Sequence, residues 1–148
     1  MPASSADRSA LDRYIAGLKT RNVEQIATTV ADSLRFVTAT ATLNKEQFLT
    51  MLRALYAAFP DWHYDHDAPE WLGDAVAIKW RQGGTHLGTW TLSGMPPVPA
   101  TGKPVKILEQ FFFYQLQGGQ IVEICPDPVP GGAPAGILEQ IGVSRPPL

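Results

Sequence analysis

The stretch VKILEQFFFYQLQGGQIVEIC, residues 105–125, decides the fold. Two runs rich in aromatic and β-branched residues flank Gln117-Gly118-Gly119, and paired glycines between such runs mark a tight hairpin. The longer run is apolar on both faces. Under strict alternation Ile107, Phe111 and Phe113 point one way, and Leu108, Phe112 and Tyr114 the other. A sheet backed by helices on one side ordinarily keeps its other side polar. Two arrangements are therefore open: a second copy of the chain covers the outer face, giving a homodimer, or the sheet curls and buries both faces within one chain.

Upstream of the hairpin the chain is also β-rich. DWHYDH (61–66) alternates, Leu72-Gly73-Asp74 reads as a turn, and AVAIKW (75–80) sets Val76, Ile78 and Trp80 against Ala75, Ala77 and Lys79. THLGTWTL (85–92) continues as strand, and a proline-rich loop fills 93–104. The first part of the chain is helical. Residues 7–19 place Leu11, Tyr14, Ile15 and Leu18 on one stripe, and 23–30 form a shorter helix before the strand RFVTAT (35–40). Asn44 is an N-cap for a helix whose Phe48, Leu52, Leu55 and Phe59 share a face, and Pro60 stops it. GILEQIG (136–142) reads as a short final helix. Helices first and antiparallel strands after is the α+β pattern, with helices on one face of the sheet. With no repeat or linker, residues 1–148 read as a single domain.

Composition narrows the function classes. At 148 residues the chain can bury a continuous core and an internal pocket, and 45% apolar against 18% charged residues describes a folded protein. A formal charge of −2 argues against nucleic acid, whose phosphates call for clustered Lys and Arg. A lone Cys125, a polar start and no run of membrane-spanning length lead to an expectation of a cytoplasmic protein with no membrane partner.

The candidate chemistry is sparse. DWHYDHD gathers two histidines and three aspartates, but alternation puts His63 and His66 on opposite faces and supplies no third ligand, so no metal is expected. GGTHLG lacks dinucleotide-loop spacing, and Cys125 reads as a buried inert thiol. His86, on an unbroken strand, shares a face with Trp80, Gln82 and Trp90. It either lines an apolar pocket or is a structural histidine bonded to the backbone, and a bulge at Gly83-Gly84 would reverse its side. Asp127 follows the last strand between Pro126 and Pro128, which restrict its backbone. A carboxyl there serves as acid or base if it faces a dry cavity, or is an exposed loop residue.

AAFPDWHYD, GDAVAIKW, GTHLG, PATGKPV, GGQIVE and GILEQIG, in that order, resemble the SnoaL-like polyketide cyclases of the nuclear transport factor two-like superfamily. The resemblance implies a cone-shaped α+β fold in which helices close a curved antiparallel sheet around an apolar cavity, with dimers packed through the sheet's outer face. It also implies cofactor-independent aldol ring closure by an aspartate after the last strand. The family's D-x-x-G spacing before the final helix falls on Ala133, which leaves Asp127 as the carboxylate for that role. On this reading Asp127 moves the proton, His86 orients or polarises the substrate oxygen, and Phe36, Phe59, Trp80 and Trp90 shape the pocket around an apolar small-molecule ligand. The alternative is a non-catalytic ligand-binding or structural dimer of the same fold.

Overall fold

The computed structural model describes residues 4–38, 41–92, 96–129 and 135–142. Helix α1 (Ser5–Lys19) opens where the Ser4 hydroxyl accepts the Asp7 N–H at 3.1 Å, and it buries Leu11, Tyr14 and Leu18 along one stripe. Helix α2 (Val23–Thr29) is capped by Asn22 and leads directly into β1 (Val30–Val37). After the short β2 (Thr42–Leu43), helix α3 (Lys45–Ala58) starts with a full capping box in which Asn44 and Gln47 satisfy each other's backbone N–H. Strands β3 (His63–His66), β4 (Glu70–Leu72), β5 (Ala75–Thr85), β6 (Pro104–Gln117) and β7 (Gln120–Pro126) follow, then helix α4 (Ala135–Gln140).

The strands form one curved, unclosed sheet in the order β2-β1-β7-β6-β5-β3, with β4 also paired to β5. The α+β architecture expected from the sequence holds, with one correction to its antiparallel sheet. The pair β1/β7 is parallel, which makes the sheet mixed. Hairpin β6/β7 turns at Gly118 and Gly119, whose φ values of 62° and 78° lie in the region open to glycine. The buried Asp7 carboxylate accepts the Gly119 N–H at 2.8 Å and fastens the hairpin to the start of α1.

Strand β5 also ends earlier than its sequence suggests. Beyond Thr85 the chain leaves the sheet because the last carbonyl of α3, Ala58, accepts both the Leu87 and Gly88 N–H groups at 3.0 Å. Residues 86–92 are therefore loop, tied to 96–98 by an isolated bridge between Trp90 and Val98. Gly83 and Gly84 stay in the strand, and a Cβ on Gly84 would come within 2.8 Å of the Trp62 ring that covers it.

A bulge in β6 corrects the reading of its two faces. Trp80 pairs with Gln110 but Gln82 pairs with Ile107, so one residue of β5 faces two of β6. The extra residue moves Ile107 onto the inner face with Phe112 and Tyr114, while Leu108 stands 67% exposed outside. Phe111 and Phe113 stack at 6.1 Å on the outer face, and Phe113 is 47% exposed. The sheet does not bury this face within one chain.

Candidate functional site

Between the inner face of the sheet and helices α1 and α3 lies a cavity of about 140 Å³. Tyr14 and Leu18 enter it from α1, and Phe48, Met51, Leu52 and Leu55 from α3. The sheet contributes Phe36, Tyr64, Trp80, Gln82, Phe112 and Tyr114, and Leu92, Pro126 and Ile137 complete the rim with Trp90. Each strand residue faces inward by the alternation that exposes its neighbours, and each helical one sits on the stripe that its cap orients. Among the described residues, no carboxylate, imidazole, thiol or cation is on this wall.

The wall's polar groups are neutral and mostly bonded to each other. The Trp80 indole Nε1–H donates to the Tyr114 hydroxyl at 2.9 Å, and the Tyr114 ring meets the Tyr14 ring edge-on with centroids 5.5 Å apart. Tyr56 and Tyr64 share a hydroxyl contact of 2.6 Å, and Trp62 Nε1–H donates to Gln82 Oε1 at 3.2 Å. Burial raises the pKa of Tyr14, Tyr64 and Tyr114 well above the ordinary phenol value. For Tyr56 burial outweighs the opposing effects of its Tyr64 bond and Arg21, leaving it at about 12. All four phenols therefore stay protonated across the physiological range and act as hydrogen-bond donors. Trp90 is buried, and its indole nitrogen has no partner among the described residues.

Phe36, Trp80 and Trp90 stand on the cavity wall. Phe59 and His86 do not. They stack on each other at 5.1 Å within a second core cluster beside Trp62, Trp90 and Ile107. His86 is fully buried because β5 has already ended and the loop folds it under the C-terminus of α3. Its Nδ1 accepts the Thr101 N–H at 3.2 Å and lies 3.0 Å from the Thr101 hydroxyl. That bond places the proton of the neutral ring on Nε2, which has no partner among the described residues. Burial lowers the His86 pKa, with backbone groups of Gly88 and Val98 opposing in part.

Pro126 reaches the wall, and Asp127 follows it, half-buried, outside the lining. Two backbone bonds fix Asp127 in place: its N–H donates to the Phe111 carbonyl at 2.9 Å, and its carbonyl accepts from Gln110 Nε2 at 2.9 Å. Ala133 lies outside the described residues. Cys125 donates its S–H to Glu123 at 3.2 Å, and burial, reinforced by that carboxylate, raises the thiol pKa to about 11. Asp65 and Asp67 grip Arg81 at 2.9 and 3.1 Å, and among the described residues no three acidic, histidine or cysteine side chains converge as metal ligands.

The sequence reading missed the three wall tyrosines. Tyr14 sits on the apolar stripe with Leu11 and Leu18, and Tyr114 alternates with Phe112, so each phenol reads as a hydrophobe. The signal was there in part: a buried phenol needs a partner, and tryptophan on the adjoining strand can supply one.

A cavity between helices and a curved sheet suits the family pattern, and the family model for the SnoaL-like polyketide cyclases matches residues 8–125. The chain belongs to the SnoaL-like polyketide cyclase family. Among solved structures, a candidate SnoaL-like polyketide cyclase from Jannaschia sp. CCS1 is similar over 98% of this chain and 99% of its own, with a TM-score of 0.73 and 16% identity. TsrD from Streptomyces laurentii gives 0.73 at 12% identity, covering 97% of this chain and all of its own. IdmH, a candidate polyketide cyclase from Streptomyces antibioticus, gives 0.68 at 20% identity, covering 95% of this chain and all of its own. These likenesses are of fold. No curated protein sequence matches the chain. Among the described residues, no helix of this SnoaL-like chain is long and apolar enough to cross a membrane.

Proposed function

We propose that this SnoaL-like chain is a small-molecule enzyme of the polyketide cyclase type, working without a cofactor on a largely apolar ligand that carries carbonyl groups. The observation that carries this reading is the aromatic cavity, whose polar groups are neutral donors suited to carbonyl oxygens. Asp127, beside the wall residue Pro126, acts as the base. It takes a proton from a carbon next to a ligand carbonyl, and the resulting enolate attacks a second carbonyl of the same molecule. The new alkoxide then recovers the proton from the Asp127 carboxyl, so ring closure is balanced and leaves the enzyme unchanged. Holding both carbonyls within one small volume supplies part of the acceleration. His86 serves by fixing the loop that carries Trp90, a positioning role in place of direct contact.

A second reading, a ligand-binding protein without catalysis, is favoured by one observation: no carboxylate stands on the described wall. Turnover of a panel of linear aryl diketones by the wild type and by Asp127→Asn separates the two. The enzyme reading expects ring closure that falls at least tenfold in Asp127→Asn, in line with the ~10²–10⁴-fold worth of a general base. Turnover untouched by the substitution removes Asp127 from the chemistry, and tight binding with no turnover establishes the second reading.

In either case the outer sheet face supports a homodimer. Leu108 and Phe113 are exposed there, Phe113 stacked on the Phe111 ring, apolar surface that a second copy would cover. The lone Cys125, held as a thiol, suits a cytoplasmic setting.

A further inference from the structure

The first half of β6 has an open side. Its pairing with β7 ends where Phe112 meets Pro126, yet β6 begins at Pro104. Among the described residues, the backbone before Phe111 has no strand beside it on that side. At Lys106 a side chain takes the place of the missing strand. Gln140 Oε1 accepts the Lys106 N–H at 2.8 Å, and Gln140 Nε2 donates to the Lys106 carbonyl at 2.9 Å. One carboxamide thus makes both bonds that a paired residue of an antiparallel neighbour would exchange. Gln140 ends α4, and the same segment turns Ile137, Leu138 and Ile141 inward, with Ile137 on the cavity wall.

We propose that α4 is a movable cover over the cavity, latched to β6 by Gln140, and that ligands enter and leave past Ile137. This rests on the reading of the cavity as a small-molecule site. With six residues α4 is well short of the roughly 12 that an isolated helix needs in water, so it is helical only while docked. Both latch bonds are exposed, where trading a partner for water costs little. The rest of the wall is firmer: apart from Trp90 and Leu92 it belongs to paired strands or to α1 and α3. Segments open in the order of their local stability, and here the weakest one carries part of the rim. A ligand inside packs against Ile137 and favours the docked helix, which links occupancy to the order of α4. Closed, the latch also shields a strand edge that could otherwise pair with another chain.

Amide hydrogen exchange of the full chain, followed residue by residue by NMR, is the first test and needs no ligand. The Ile141 N–H, bonded to the Ile137 carbonyl, and the latched Lys106 N–H should exchange through one shared opening, far more frequent than that of the β5/β6 ladder. In Gln140→Ala the Ile141 exchange should quicken about tenfold, the worth of one to two net hydrogen bonds, while an unchanged ladder shows that the variant is folded. The second test is stopped-flow binding of indane, a small neutral hydrocarbon, read by tryptophan fluorescence. Gln140→Ala should raise its association and dissociation rates by the same factor of about ten and leave Kd within about twofold, because a cover alters passage and not the room behind it. Wild-type Ile141 exchange that occurs only with global unfolding overturns the proposal. Indane rates unchanged in the variant, or a weakened Kd at a fixed association rate, overturn it as well while leaving the cavity reading intact. Indane that binds neither protein sinks the cavity reading and the entry route together.

Discussion

Trp80 on β5 and Tyr114 on β6 are joined by a buried 2.9 Å hydrogen bond that runs along the cavity wall and holds the phenol against Tyr14. Neighbouring strands thus share a polar fixture inside an otherwise apolar chamber. Tyr114→Phe would leave the Trp80 N–H buried without an acceptor, at a cost of ~1–3 kcal/mol. Urea denaturation checks this. A loss below about 0.5 kcal/mol, the range of ordinary surface changes, would show that the bond contributes nothing.

All four tyrosines of the chain belong to this group, and burial raises the pKa of each. A phenol whose pKa is higher in the folded state stabilises fully below the unfolded value of 10.0 and loses that contribution as pH climbs toward the folded value. Stability should therefore fall steeply above pH 10, and phenolate absorbance should appear together with loss of circular dichroism. A tyrosine that ionises near pH 10 in the folded protein would contradict the buried cluster.

His86 gives the opposite limb. Burial lowers its pKa from 6.5, so the unfolded chain binds a proton that the folded one refuses, and stability is lost as pH falls below about 6.5. His86→Phe should flatten that part of the profile, while costing ~1–3 kcal/mol at pH 7 because the Thr101 N–H loses its acceptor. Denaturant midpoints at several pH values measure both. An unchanged slope in the variant would assign the pH dependence to other groups.

Outside the sheet, Leu108 and Phe113 are the exposed apolar residues to test for self-association. If the homodimer forms through them, the double substitution Leu108→Glu and Phe113→Glu should yield a monomer in sedimentation velocity at concentrations where the wild type is dimeric. A variant of unchanged mass, or a monomeric wild type, would remove the homodimer.

Most of the helical half was legible because its information is local. The stripe of α1 and the Asn44–Gln47 box of α3 depend on residues within a few positions of each other. What escaped depends on distant partners. Nothing in RFV or IVEIC announces that β1 and β7 lie parallel, since their contact arises only once the intervening sheet has formed. Strand β5 looked longer because THLGTWTL alternates well, whereas the carbonyl of Ala58 that draws its backbone away belongs to another helix. The same holds for the site. Trp80 and Trp90 were picked out by strand alternation, which for Trp90 assumed a strand that in fact ends at Thr85, while the tyrosines differ from their apolar neighbours by single hydroxyls whose meaning lies across the cavity.

The bulge opposite Arg81 gives β6 one residue to spare. The segment from Gln110 to the hairpin is locked to β7, and a one-residue deletion at Glu109 would leave Leu108 alone opposite Arg81 while Ile107 stays opposite Gln82. Alternation would then run unbroken from Gln110, with Leu108 outward and Ile107 and Val105 inward as before. The length of the strand can change by one at this point without turning a face of the sheet over, a slack that a regular ladder lacks.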